Sequence, residues 1–236
     1  MRSIPRALRA TAAALALSLA AGSAGAVGVR ITEWMYSPAS GAGEFIELTN
    51  LGTAAVDFTG WVYDDDSRFS TVAAGGFSLS ALGTVAAGQS VVITELDAAV
   101  FRTRWSLAGS VKVVGGVSTN NLGRADEINV FNASGTLVDR LTFGDNAAAT
   151  LGTIRTLGTS GRPGSAEALG TNLVALWALS TVGDRDGGYQ SSVAGDIGSP
   201  GAFTPFETTV VPLPAPALLM LGGLGLIGAV ARRRKA

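Results

Sequence analysis

Glu44-Phe-Ile-Glu-Leu-Thr-Asn50 decides the fold class. Ile46 and Leu48 fall on one side of an extended chain, and Phe45 and Glu47 on the other, because side chains alternate along a strand. A helix would need its apolar residues three and four apart. Asn50-Leu-Gly52 follows as a turn signal. The same unit, a short β-rich run and then turn residues, recurs along the middle of the chain. The runs are 29–34, 60–63, 90–94, 110–114, 127–131 and 137–143, with turns at Ala87-Gly88, Asn121-Leu-Gly123 and Asn132-Ala-Ser-Gly135. Seven short strands with frequent turns predict an all-β chain built as a β-sandwich. Trp61, after Gly60, is expected in the sandwich core, where the glycine allows close backbone approach. Glu44 and Glu47 are expected to face outward or to cap neighbouring turns. One short helix is expected over 95–105, with Leu96, Val100 and Phe101 on one face.

Composition narrows the chemistry. The chain has 236 residues, enough to bury a real core, and neither Cys nor His. Disulfides, thiolate sites, imidazole bases and the Ser-His-Asp triad are therefore excluded. Of the 17 Lys and Arg, seven lie in the first 26 and the last 26 residues, leaving 10 cations against all 18 Asp and Glu between them. A phosphate-backbone binder needs the opposite balance, so no nucleic-acid partner is expected. Mean hydropathy is +0.36, and much of the excess sits in the ends.

The front end, residues 1–26, has Arg2, Arg6 and Arg9, an apolar run from Thr11 to Ala21, and then Ala24-Gly-Ala26. That order is a secretory signal, with cleavage after Ala26 by signal peptidase. The back end, 207–236, has an extended leader held by Pro212, Pro214 and Pro216, an uncharged run from Ala217 to Ala231, and Arg232, Arg233, Arg234 and Lys235. A helix of that run is about 22 Å long, short of the ~30 Å hydrocarbon core, and the basic block extends its reach by snorkelling. Cations favour the cytoplasmic side and the signal carries the body across, so both ends give one topology. Gly223-Leu-Gly-Leu-Ile-Gly228 spells a dinucleotide-binding pattern, but no strand precedes it and no acid follows.

Val211, Pro212, Leu213, Pro214 and Ala215, the glycine-bearing apolar run and the basic end resemble the VPLPA variant of the PEP-CTERM sorting signal. The resemblance implies recognition and cutting by an exosortase-type membrane protease. It further implies release to the cell surface or an exopolysaccharide matrix. The competing reading is a plain single-span anchor. In the middle, Ile31-Thr-Glu-Trp-Met35, Glu44 to Asn50, Asp57-Phe-Thr-Gly-Trp61 and Ala87 to Ile93 resemble the lamin-tail domain in its bacterial form. Gly123 to Gly135 resembles that family's hairpin, and Gly195-Asp-Ile-Gly-Ser-Pro-Gly201 its closing turn. The resemblance implies an immunoglobulin-like sandwich over roughly 28–206. Residues 147–180, rich in Gly and Ala, exceed what a compact module needs and are expected to form an insertion or a loosely ordered arm of the domain spanning 27–206.

Asp64, Asp65 and Asp66 are the densest carboxylate cluster and the best calcium candidate, against the alternative of a solvated acidic loop. Asp184-Arg-Asp-Gly-Gly188 begins like a calcium loop, but Gly188 takes the third-ligand place, which favours a turn. Asp126 and Glu127 with Arg124 read as a hairpin charge patch. Ser160 has no basic partner in the sequence. No catalytic residue is assigned. The expected function is that of an exported, non-catalytic surface or matrix protein, whose sandwich binds exopolysaccharide or other envelope components or serves a structural role. The alternative is a small metal-dependent envelope hydrolase using carboxylates.

Overall fold

A computed structural model describes residues 28–39, 41, 43–144, 154–192 and 195–207. The strands are β1 (Val29–Met35), β2 (Phe45–Asn50), β3 (Val56–Asp57), β4 (Val62–Asp64), β5 (Phe77–Ser78), β6 (Thr84–Val85) and β7 (Ser90–Thr94). After helix α1 (Ala98–Arg104) come β8 (Lys112–Val114), β9 (Ala125–Phe131), β10 (Leu137–Gly144), β11 (Gly161–Pro163), β12 (Trp177–Leu179), β13 (Tyr189–Gln190) and β14 (Ile197–Gly198). Six strands form one sheet in the order β12-β11-β1-β2-β7-β8, and four form a second in the order β10-β9-β4-β5. Each of the seven expected runs overlaps a strand.

Alternation makes the sandwich. Ile31, Ile46, Leu48, Val91 and Ile93 from the first sheet meet Tyr63, Ile128, Val130 and Leu141 from the second in one buried core. Trp34 of β1 stacks on Phe143 of β10 with ring centroids 4.0 Å apart, which ties the two sheets together. Trp61 lies in this core as expected, 4.5 Å from Phe58, and Gly60 at φ 76° brings the chain close to Ala133.

The outer face of the first sheet is also covered. Phe45, Met35 and Val92 form a second apolar cluster with Phe101 and Trp105. Asp97 caps α1 by accepting from the amides of Ala99 and Val100. Phe101 and Trp105, four residues apart, therefore share the face that lies on Phe45, at 5.6 and 5.5 Å. Two expectations are corrected here. Val100 is 40% exposed, and Trp105 rather than Val100 completes the buried stripe. The face bearing Phe45 and Glu47 is not open to solvent, because Phe101 and Trp105 lie on Phe45 and the chain at Gly201 meets Glu47.

Residues 154–180 are no loose arm. β11 and β12 extend the first sheet next to β1, and Ala168, Val174 and Trp177 enter the main core. The edge strand β10 is blocked by side chains instead of another strand. Asn172 accepts from the Thr142 amide, Asp139 from the Arg140 amide, and Arg30 donates to the Val138 carbonyl. Such blocking keeps an eight-residue edge from pairing with another chain. Among the described residues, no helix is long and apolar enough to cross a membrane. The apolar run 217–231 and residues 1–26 lie outside them.

Candidate functional site

The most constrained polar site sits on the outer face of the first sheet. A β-bulge separates Ile31 from Glu33 in the β1–β2 ladder. Without it Glu33 would share the inner face with Val29 and Ile31. The extra residue reverses the alternation, so Trp34 points inward and Glu33 faces outward, paired with Glu47. Both glutamates are buried, at 1% and 0% exposure, so Glu47 is not exposed, and of its two expected roles the capping of a neighbouring turn, at the Gly201 amide, is the one found.

Every donor to these two carboxylates is neutral. Glu33 Oε1 accepts from the Ser160 hydroxyl and, at 2.7 Å, from the Ser199 amide. Glu47 Oε1 accepts from the hydroxyls of Thr32 at 2.5 Å and Thr49 at 3.4 Å, and its Oε2 from the Gly201 amide at 2.7 Å. Glu33 Oε2 is buried with no partner. Burial, and then the charge of Glu47, push Glu33 well above the usual carboxylate range. Burial likewise lifts Glu47 to about 7, against the opposing pull of Thr32 and Gly201. Asp186, paired with Arg185 at 2.8 Å, adds to both rises. The two glutamates thus fasten the Ser199-Pro-Gly201 turn to the sheet. Gly198 is needed beside them, since a Cβ there would lie 3.0 Å from Glu33 Oε1 and 3.1 Å from the Trp105 ring.

Ser160 does have a carboxylate partner, Glu33, contrary to expectation. The pair is no nucleophile and base, because Ser160 is fully buried and its hydroxyl also contacts Ser180.

Glu44 is buried too, and it caps a neighbouring turn, the second of its expected roles, by accepting from the Leu122 amide at 2.7 Å. Burial lifts it to about 8. Asp64, Asp65 and Asp66 do not converge. Asp64 turns inward to the Phe69 amide at 2.6 Å and Asn120 at 2.5 Å, Asp65 caps the Ser67 amide at 3.0 Å, and Asp66 is exposed. Asp184 gathers the amides of Thr181, Asp186 and Gly188, which makes the Asp184–Gly188 stretch a closed turn. No group of three acidic residues among the described residues is placed to hold a metal ion. Glu127 lies in the charge patch, and its main partner is Arg68, which reaches it through two 2.7 Å bonds and holds it down to about 2.

One cleft opens at the surface, with a volume of about 550 Å³, between residues 52–57 and 132–134. Trp61 forms part of its wall, and Asp57 is the only charged residue lining it among the described residues. Asn50 and Asn132 also line it, but their side chains are bound to the local backbone. Asn50 bonds to Ala54 and Val85, and Asn132 to Ser134 and Thr136. The cleft therefore offers a surface of small residues with one carboxylate, Asp57.

The signal-cleavage residues Ala24 and Ala26, the leader Val211–Ala215 and the basic block Arg232–Lys235 lie outside the described residues. No curated protein and no solved structure matches the chain. The model of the family described as Lamin Tail Domain matches residues 23–145, just over half of the chain. That span holds both glutamates, the bulge that turns Glu33 outward and helix α1, and the chain belongs to the lamin tail domain family.

Proposed function

We propose that this protein is an exported, non-catalytic surface or matrix protein whose sandwich acts as a binding or structural module. The N-terminal signal carries it across the membrane, and signal peptidase cuts after Ala26. The C-terminal apolar run holds it briefly in the membrane with the body outside. An exosortase-type protease then cuts in the extended leader Val211–Ala215 and releases the body to the envelope surface or the exopolysaccharide matrix. The observation that carries this reading is the fixed order of leader, uncharged run and basic block, following a lamin tail domain. The non-enzymatic character of that Ig-like domain supports the binding role. The buried carboxylates, bound to backbone amides and hydroxyls, disfavour the hydrolase alternative.

The test is the intact mass of the protein recovered from the surface of a host that has an exosortase. The expected mass starts at Val27 and lacks the residues from about Pro216 onward. A mass that keeps Met1, or that keeps Arg232 to Ala236, overturns the reading.

A further inference from the structure

The Glu33–Glu47 pair is more than a packing device. Two carboxylates face each other across neighbouring strands in a site with no water access, and all their donors are hydroxyls or backbone amides. Two negative charges in such a site repel with little screening. The second oxygen of Glu33 meets no donor among the described residues, so ionising Glu33 leaves charge uncompensated there. The surrounding elements do not relieve this. The 183–188 turn brings another acid, Asp186, whose partner is Arg185. β13 brings Tyr189, whose hydroxyl donates to the Trp105 carbonyl. β11, the chain after β12, and α1 bring Ser160, Ser180 and Trp105, all neutral.

We propose that Glu33 and Glu47 form a proton-controlled latch: with one proton between them they hold the Ser199–Gly201 turn on the sheet, and loss of that proton releases the turn. The Ser199 amide donates to Glu33 and the Gly201 amide to Glu47. The turn lies just before Phe203, where the sandwich ends, so the latch governs how firmly the chain is held as it leaves the domain. The raised pKa of both groups agrees with this geometry. The latch is independent of the sorting proposal.

Amide hydrogen exchange of the full chain tests it, from about pH 5.5 to about pH 9, with rates corrected for intrinsic base catalysis. The readout is the protection of residues 197–203 relative to β9 and β10. Relative protection is expected to fall by up to about tenfold per pH unit as pH rises from the ordinary carboxylate value of 4.5 toward the raised folded values, and to level off above them. Glu33→Gln keeps an oxygen for Ser160 and Ser199 and prevents the second charge, so relative protection there should stay level. Glu44→Gln removes the other buried acid and should leave the wild-type loss in place. A flat relative profile in the wild type overturns the latch, and this arm needs no variant to fold. An unchanged loss in Glu33→Gln, or its disappearance in Glu44→Gln, also overturns it.

Discussion

Glu33 and Glu47 sit opposite each other in the β1–β2 ladder, yet each bonds to a residue more than 150 positions away, Ser199 and Gly201 respectively. The two most buried acids of the sheet therefore set where the end of the domain lies. Replacing Glu47 by Ala removes the acceptor for Gly201 and for two hydroxyls, and leaves a half-buried amide unpaired. We expect a loss of roughly 1–3 kcal/mol in urea unfolding at pH 6. Glu47→Gln keeps an acceptor oxygen and should lose clearly less. Equal losses would mean that volume, not hydrogen bonding, matters at this position.

Stability should also fall as the solution becomes alkaline. Glu44 is lifted from 4.5 to about 8 by burial. A group whose folded pKa is raised binds more protons when folded, so its contribution is complete below the unfolded value and is lost as pH rises through the folded one. The melting temperature should decline between about pH 4.5 and about pH 8, and Glu44→Gln should flatten part of that decline. A profile that rises over this range in the wild type would contradict the burial of Glu44.

The strand pattern made the sandwich legible because Ile46 and Leu48, or Ile128 and Val130, alternate as a half-buried strand must. Trp61 was legible for its size and its glycine neighbour. The covered outer face was not. Alternation tells which residues share a face, but only tertiary packing tells whether something lies on it, and Glu47 reads the same either way. Glu33 was hidden further by the bulge, which reverses the alternation without leaving any mark in residue type. β11 and β12 escaped notice because each has three residues, one of them running Gly161-Arg-Pro163. A Gly and a Pro in so short a run signal a loop, and only pairing to β1 makes it a strand.

Trp105 holds α1 on the sheet through Phe45, Phe101 and the edge of Tyr189 at 5.7 Å. It is fully buried. Trp105→Ala should cost roughly 3–5 kcal/mol by the lost burial and the cavity left behind. Because the Trp105 ring lies against Gly198, the same variant should also expose residues 197–203 to faster hydrogen exchange. Unfolding that shifts by less than about 1 kcal/mol would mean that α1 is not part of the cooperative unit.

Calcium should leave the domain unchanged. Asp64 is committed to Phe69 and Asn120, and Asp65 to Ser67, so the trio presents no shared set of oxygens. A ligand that binds only the folded state would raise the melting point. We expect superimposable melting curves in millimolar calcium and in chelator. A rise with calcium that disappears in Asp64→Asn would restore these residues as a site.

The prolines of the leader are the last point of test. Pro212 and Pro214 lack amide protons and fix their own φ, and each disfavours helix in the residue before it. The proposed sorting therefore depends on a strand-like substrate outside the membrane, with no helical hydrogen bonds to break before it enters a protease. Changing both to Ala removes two of the leader's three proline restrictions and, with only Pro216 left, weakens its hold in an extended form. Exported protein carrying both changes should stay membrane-bound and keep the mass of residues 216–236, while the wild type loses them. A double variant cut as efficiently as the wild type would show that the protease reads residue identity elsewhere in the tail and that extension of the leader is not what it requires.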